Sequence, residues 1–243
     1  MDYIIIILIF IIIGIIIYYT ITINNICYKE PEYYEYTGKE GGPTILIIGA
    51  THGNEPAGYY GIKEYMNKLN KQQITLKKGK IIFIPAVNYC GLQLNRRNHN
   101  TIGDINRLYK DVENNNIVNK LIINFSKTSD FIIDFHEGYD YANKSDETLG
   151  STITPSDTEK SLQVVNIVVN NLNKIIDIDY KKFKINNNKK IKGTFREYAD
   201  FKKLNYILVE TTGQNNVQPL NVRVEQCINI ISSVLEYYSM KEI

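Results

Sequence analysis

Four short apolar runs separated by amphipathic stretches constrain the fold of this chain most strongly. The runs are 44–48 (TILII), 81–87 (IIFIPAV), 131–135 (FIIDF) and 206–209 (YILV). Nearly continuous apolar character over so few residues predicts strands that are buried on both faces. Strands that alternate with helices predict a mixed, mostly parallel sheet. We therefore expect an α/β domain whose sheet is covered on both sides.

The stretches around these runs carry apolar residues at helical spacing. Such stripes predict helices that bury one face and expose the other. The stripes lie within residues 59–69, 117–125, 165–176 and 220–238. Ser156 and Glu159 form a capping-box pattern that predicts the start of the third of these helices.

The composition excludes several classes of protein. The chain has 243 residues, 44% of them hydrophobic, so it can bury a core and is not disordered throughout. A net charge of +2 argues against a dedicated nucleic-acid binder, so we expect no nucleic-acid partner. Three widely spaced cysteines exclude a disulfide scaffold and a zinc ribbon built on cysteine pairs.

The N-terminal residues form a long run without charge. Residues 3–23 (YIIIILIFIIIGIIIYYTITI) are apolar except for flanking tyrosines and threonines, and about 20 such residues span a bilayer core as a helix. The run predicts a single-pass membrane anchor over residues 1–23, a polar juxtamembrane linker over 24–42 and a catalytic domain over 43–243. A cleavable signal peptide is the alternative, although the run lacks a basic segment before it. The flanking charges do not set the membrane side of the domain.

Polar residues follow three of the predicted strands. His52 and Glu55 come after the first, His136 after the third and Glu210 after the fourth. In such sheets, sites form at the carboxyl ends of the strands. A single histidine at a strand end is usually a hydrogen-bonded core residue, but two histidines and two glutamates at neighbouring ends predict a site.

The residue types favour zinc. His52 and Glu55 are three residues apart, with Glu55 expected in the first helical turn, and His136 supplies a third ligand from another strand. Two histidines and one carboxylate leave a position for water, which is the pattern of a catalytic zinc ion. A base is then needed near that water, and Glu210 is the candidate. We expect one zinc ion per chain.

A second cluster of polar residues spans 94–97 (LNRR) and 104–107 (DINR). Arginine can grip a carboxylate through two hydrogen bonds or stabilise an oxyanion. Asp104 can accept a hydrogen bond from the outer ring nitrogen of a zinc-bound histidine. A solvated surface run of Arg and Asn is the alternative for part of this cluster.

Together these motifs resemble the zinc carboxypeptidase superfamily, in particular the deacylase-type members of its succinylglutamate desuccinylase and aspartoacylase branch. The resemblance rests on 49–58 (GATHGNEPAG), 95–109 (NRRNHNTIGDINRLY), 134–138 (DFHEG) and 209–211 (VET), and it extends over about residues 43–240. It implies a three-layer α/β/α sandwich around a mixed sheet. By position it also implies His52, Glu55 and His136 as zinc ligands.

The same resemblance implies roles for the remaining polar residues. Asn106 and Arg107 would hold a substrate carboxylate, and Arg97, with Arg96 as its rival, would stabilise the oxyanion. Glu210 would be the general acid and base, and Asp104 the partner of His52.

The resulting hypothesis is a zinc-dependent amidohydrolase. Its substrate is a small molecule or peptide with a free carboxylate next to the scissile amide, so an N-acyl amino acid deacylase and a carboxypeptidase both fit. No G-x-S-x-G or H-E-x-x-H motif occurs, which disfavours a serine hydrolase and a zincin. A membrane-tethered binding protein that uses the same cleft without turnover is the alternative.

Overall fold

The structure is a computed structural model that describes residues 2–26, 29–110, 116–187 and 191–242. The strands in chain order are β1 (Tyr34–Thr37), β2 (Glu40–Ile48), β3 (Thr75–Leu76), β4 (Lys78–Ile84), β5 (Phe131–Tyr139), β6 (Thr152–Pro155), β7 (Lys184–Ile185), β8 (Tyr206–Gln214) and β9 (Lys241–Glu242). The helices are α1 (Asp2–Ile26), α2 (Ala57–Asn70), α3 (Tyr89–Gln93), α4 (Ile117–Ser126), α5 (Glu159–Asn173), α6 (Phe195–Phe201) and α7 (Leu220–Tyr237).

Seven of these strands form one mixed sheet in the order β1-β4-β2-β5-β8-β6-β7. The central strands β4, β2, β5 and β8 run parallel, and β6 and β7 are also parallel to each other. Antiparallel pairs join β1 to β4 and β6 to β8. The predicted α/β fold with a mixed, mostly parallel sheet is therefore confirmed.

Helices cover both faces of this sheet. Ile45 and Ile47 of β2 belong to a buried cluster with residues of α2, α5 and α7. Leu46 and Ile48 belong to a second buried cluster with residues of α4 and α6. Because successive side chains of a strand point to opposite faces, an apolar residue is needed at every position of such a strand. Each fully buried isoleucine contributes roughly 1.5–3 kcal/mol of stability.

The predicted transmembrane anchor over residues 1–23 is contradicted by the structure, and with it the predicted single-pass membrane localisation and membrane partner. Among the described residues, no helix is both long and apolar enough to cross a membrane. Met1 lies outside the described residues.

The predicted linker over residues 24–42 contains a strand of the main sheet. β1 pairs with β4, and the ring of Tyr36 packs edge-on against Phe83 with centroids 5.7 Å apart. β2 also begins at Glu40, before the predicted domain boundary at residue 43. The folded unit therefore includes residues that were predicted to connect it to an anchor.

Candidate metal centre and its cavity

The loop between β2 and α2 carries the first two predicted ligands. The loop turns back at His52, whose carbonyl accepts the main-chain N–H of Glu55 at 3.2 Å. A Cβ on Gly53 would overlap the main chain of Gly91, so only glycine lets the loop lie against α3. Glu55 was expected in the first helical turn, but α2 begins at Ala57 and Glu55 precedes it.

The other two site residues lie within strands rather than at their ends. β5 and β8 continue to Tyr139 and Gln214, beyond the ends of their apolar runs. His136 and Glu210 occupy partner positions in this parallel pair. Residues at partner positions project from the same face of a sheet. The register therefore brings the Glu210 side chain next to that of His136.

The three predicted metal ligands meet at one buried point. The Nδ1 atoms of His52 and His136 lie 3.1 Å apart. Glu55 Oε1 lies 2.8 Å from Nδ1 of His52, and its Oε2 lies 2.9 Å from Nδ1 of His136. All three residues are buried, and their nearest donor atoms all lie within 4.8 Å of one another. Two imidazole nitrogens and a carboxylate form a ligand set that can hold a divalent cation.

Each histidine has a carboxylate on its outer ring nitrogen. Nε2 of His52 lies 3.2 Å from Asp104, and Nε2 of His136 lies 3.4 Å from Asp134. Tyr206 donates its phenol hydrogen to the same Asp134 oxygen at 3.0 Å. An outer carboxylate favours a proton on Nε2 and leaves the Nδ1 lone pair facing inward. This arrangement fits a bound metal ion, and Asp134 is a partner that the sequence analysis missed within its own DFHEG motif.

Charges in the centre are strongly coupled. Burial opposes ionisation of Glu55, but His136 and His52 together lower its pKa to about 2. Burial also opposes a charge on His136, yet Asp134 and Glu55 raise its pKa well above the usual range. The metal-free centre therefore favours a proton on His136. Because a bound cation replaces that proton, metal binding should weaken as the pH falls.

The pKa of the Glu210 carboxyl is shifted upward, whereas that of Glu55 is shifted downward. Burial raises its pKa to about 8, and the negative charges of Glu55 and Asp134 add to the effect, whereas His136 and Arg97 oppose it. A carboxyl group whose pKa lies near neutrality can both accept and return a proton at physiological pH. The environment of Glu210 is therefore suited to acid and base chemistry.

Of the two adjacent arginines, Arg97 faces this centre. Its Nη1 donates to Glu55 at 3.2 Å, and its Nε and Nη2 donate to one oxygen of Asp104 at 3.3 and 3.2 Å. Arg96 is exposed and does not line the cavity at the site. Arg97 thus contacts a ligand carboxylate and the carboxylate that supports His52.

An open cavity of about 310 Å³ adjoins the centre. Asn106 and Arg107, the residues predicted to hold a substrate carboxylate, lie on its wall. Oδ1 of Asn106 accepts the Phe195 N–H at 2.8 Å, and this contact fixes the orientation of the side-chain amide. Nη1 of Arg107 donates to the main-chain oxygen of Asn106 at 2.7 Å, which holds the guanidinium along the wall.

Three further charged residues of the cavity, Glu137, Glu147 and Arg196, escaped the sequence analysis. Arg196 lies in the first turn of α6, a helix of seven residues that is too short to show an apolar stripe. A threonine cap at Thr194 was the available signal for that helix. Glu137 directly follows His136 and also lines the cavity.

Replacing Asp134 with asparagine is expected to weaken zinc binding by about 10- to 100-fold, the usual cost of losing an outer partner of a metal ligand. The amide oxygen of asparagine can still accept from Tyr206, so the change mainly removes charge. Competition with a chromophoric chelator measures the affinity. Asp146→Asn, which alters a fully exposed carboxylate, is the matched control. Equal affinity in both variants would contradict a supporting role for Asp134.

Comparison with known proteins places this site in a family context. Residues 41–146 match the family described as "Succinylglutamate desuccinylase/Aspartoacylase catalytic domain". N-alpha-acetyl-L-2,4-diaminobutyric acid deacetylase from Halomonas elongata is 26% identical over 102 residues, which cover 40% of this chain and 29% of that protein.

Solved structures share the fold at low identity. Tripeptide-bound cell shape determinant Csd4 from Helicobacter pylori superposes with a TM-score of 0.73 and 16% identity, covering 88% of this chain and 56% of Csd4. Succinylglutamate desuccinylase/aspartoacylase from Rhodobacter sphaeroides gives a TM-score of 0.65 and 18% identity, covering 88% and 60%. This chain thus spans less than two thirds of each of these relatives. Its resemblance to the succinylglutamate desuccinylase and aspartoacylase branch of the zinc carboxypeptidase superfamily is confirmed.

Proposed function

We propose that the protein is a zinc-dependent hydrolase that cleaves an amide bond next to a carboxylate-bearing group. The observation that carries the proposal is the convergence of His52, Glu55 and His136 at the wall of an open cavity, with Glu210 beside them. The family match over residues 41–146 supports it. So do the names of relatives, one a deacetylase and one, in its mDAP-bound form, a D,L-carboxypeptidase.

His52, Glu55 and His136 would hold the zinc ion. When bound, zinc lowers the pKa of a water molecule and polarises a carbonyl group. Asp104 and Asp134 lie at the outer ring nitrogens and would keep Nδ1 of both imidazoles available as ligands. Buried ligands on two separate segments, the loop between β2 and α2 and strand β5, would hold this geometry before any substrate arrives.

The Glu210 carboxylate would take a proton from the attacking water and return it to the nitrogen of the leaving amine. Its place beside His136 and its raised pKa suit both transfers. Arg97 would donate to the carbonyl oxygen as negative charge develops there. The Arg97 guanidinium is half-exposed towards the cavity, while its contacts with Glu55 and Asp104 hold it in place.

Arg107 and the amide of Asn106 would bind the substrate carboxylate at the cavity wall. A guanidinium matches a carboxylate in shape as well as in charge. Both classes of substrate carry this group next to the scissile amide. The site therefore supports an N-acyl amino acid deacylase and a carboxypeptidase equally.

Replacing Arg107 with alanine is expected to raise KM by about 10- to 100-fold with a smaller change in kcat, because a charged hydrogen bond to substrate is worth roughly 1.5–3 kcal/mol. Steady-state kinetics on the best substrate among N-acyl amino acids and peptides measures the effect. Arg96→Ala removes a neighbouring arginine that is exposed and outside the cavity, so its kinetics should match the unmodified chain. If Arg96→Ala raises KM more than Arg107→Ala, the assignment is wrong.

The direct test combines metal analysis with a substrate panel. The purified chain should bind one zinc ion and release amine from N-acyl amino acids, from peptides, or from both. Release from one arm alone would separate deacylase from carboxypeptidase. Stoichiometric zinc without release from either arm would instead favour a binding protein that uses the same cavity without turnover.

A further inference from the structure

The helix that follows Glu55 begins without a side-chain cap of its own. The first N–H groups of a helix have no partners within it. Pro56 precedes Ala57, the first residue of α2, and offers no side-chain acceptor. By contrast, Asn116 and Thr158 cap α4 and α5 with their own side chains. The start of α2 therefore depends on an acceptor from elsewhere in the chain.

Glu137 supplies that acceptor. Its Oε1 accepts the Ala57 N–H at 2.6 Å, although 80 residues separate the two. Its own main-chain N–H donates to Oε2 of Glu55 at 3.2 Å. Glu137 also directly follows His136 in β5. Glu137 thus connects β5, which carries His136, with the carboxylate of Glu55 and with the start of α2.

The second oxygen of Glu137 is held from the opposite side. Arg223 of α7 donates to Oε2, and both side chains are almost completely buried, at 4% and 1% exposure. A Cβ on Gly213 of β8 would overlap this same Oε2, so glycine leaves the room that the pair occupies. The proposed reaction assigns no step to Glu137 or Arg223. Burying an ion pair is costly, which calls for a role other than stability.

We infer that Glu137 is a positioning residue of the metal centre. Glu55 lies just before α2 and His136 lies in β5, so their spacing depends on where α2 begins relative to that strand. Held by Arg223, the Glu137 carboxylate fixes the start of α2 against β5 and thereby sets the distance between the two ligands. This inference deepens the proposed function and rests on the assignment of His52, Glu55 and His136 as metal ligands.

Two double variants without buried charge test the inference. Glu137→Gln with Arg223→Met keeps an amide oxygen that can accept the Ala57 N–H. Glu137→Leu with Arg223→Met has similar volume and no acceptor. Zinc affinity of the metal-free chains is measured by chelator competition, alongside their thermal unfolding without metal. We expect the glutamine pair to bind zinc like the unmodified chain and the leucine pair to bind it about 10- to 100-fold more weakly.

The outcomes separate the inference from the proposed function. Equal zinc affinity of the two folded double variants would overturn the positioning role and leave the proposed function standing. Absence of zinc binding by the unmodified chain would overturn both. If the leucine pair does not fold without metal, Gly213→Ala replaces it, because the added methyl displaces the Glu137 carboxylate and leaves both charges present. Unchanged affinity in folded Gly213→Ala would then overturn the inference.

Discussion

Replacing Glu210 with glutamine is expected to lower kcat by about 10²- to 10⁴-fold, the usual contribution of a positioned general acid and base. Glutamine has nearly the same shape and cannot accept the proton at pH 7. The paired position beside His136 and the raised pKa of the Glu210 carboxyl both support the proposal that this residue makes the proton transfer. Since Glu210 is not one of the three converging ligands, zinc binding should survive the change.

The experiment needs kinetics and metal analysis on the same preparation. Glu225→Gln in α7 changes an exposed glutamate and should retain full turnover. A Glu210→Gln variant that stays fully active would refute the assignment of the base. Loss of zinc together with activity would instead indicate that Glu210 helps to hold the metal ion.

The central part of the fold could be predicted because its strands are short, apolar and buried on both faces. The strands at one edge of the sheet, β6 and β7, could not be predicted. β6 (TITP) and β7 (KI) carry few apolar residues, and their partners lie elsewhere in the chain. β1 was missed within the predicted linker for a related reason: a polar run of sequence does not show which segments join a sheet.

The start of α5 shows that tertiary contacts decide which of two possible capping residues caps a helix. Ser156 and Glu159 predicted the start of α5, but Thr158 caps it by accepting the Ser161 N–H. The Ser156 hydroxyl donates instead to the main-chain oxygen of Leu204. Ser156 and Thr158 both lie near the start of α5. Because Ser156 bonds to Leu204, 48 residues away, Thr158 is the residue that caps the helix.

The ligand set could be predicted because histidine is rare in this chain and each ligand lies close to the end of an apolar run. Residues that pair with each other from distant parts of the chain carry no comparable sequence pattern. Glu137 and Arg223 are 86 residues apart, and neither belongs to a spacing motif with the other. Their pairing follows from the packing of α7 against the sheet, which periodicity alone does not specify.

Replacing Arg223 with methionine is expected to lower the free energy of unfolding by about 3–5 kcal/mol, because it leaves the Glu137 carboxylate buried without its partner. Burial already raises the pKa of Glu137 to about 7, and the positive charge of Arg223 opposes that rise. Without Arg223 the carboxyl should stay protonated in the folded chain at higher pH. Urea unfolding of the metal-free chain measures the loss.

The double variant Glu137→Gln with Arg223→Met should recover most of that stability, since removing both charges avoids an unpaired one. Arg96→Met, at an exposed position, should change the free energy of unfolding by less than about 0.5 kcal/mol. A loss of similar size in the single and double variants would show that Arg223 acts through its packing. Recovery in the double variant would show that Arg223 stabilises the fold by pairing with the charge of Glu137.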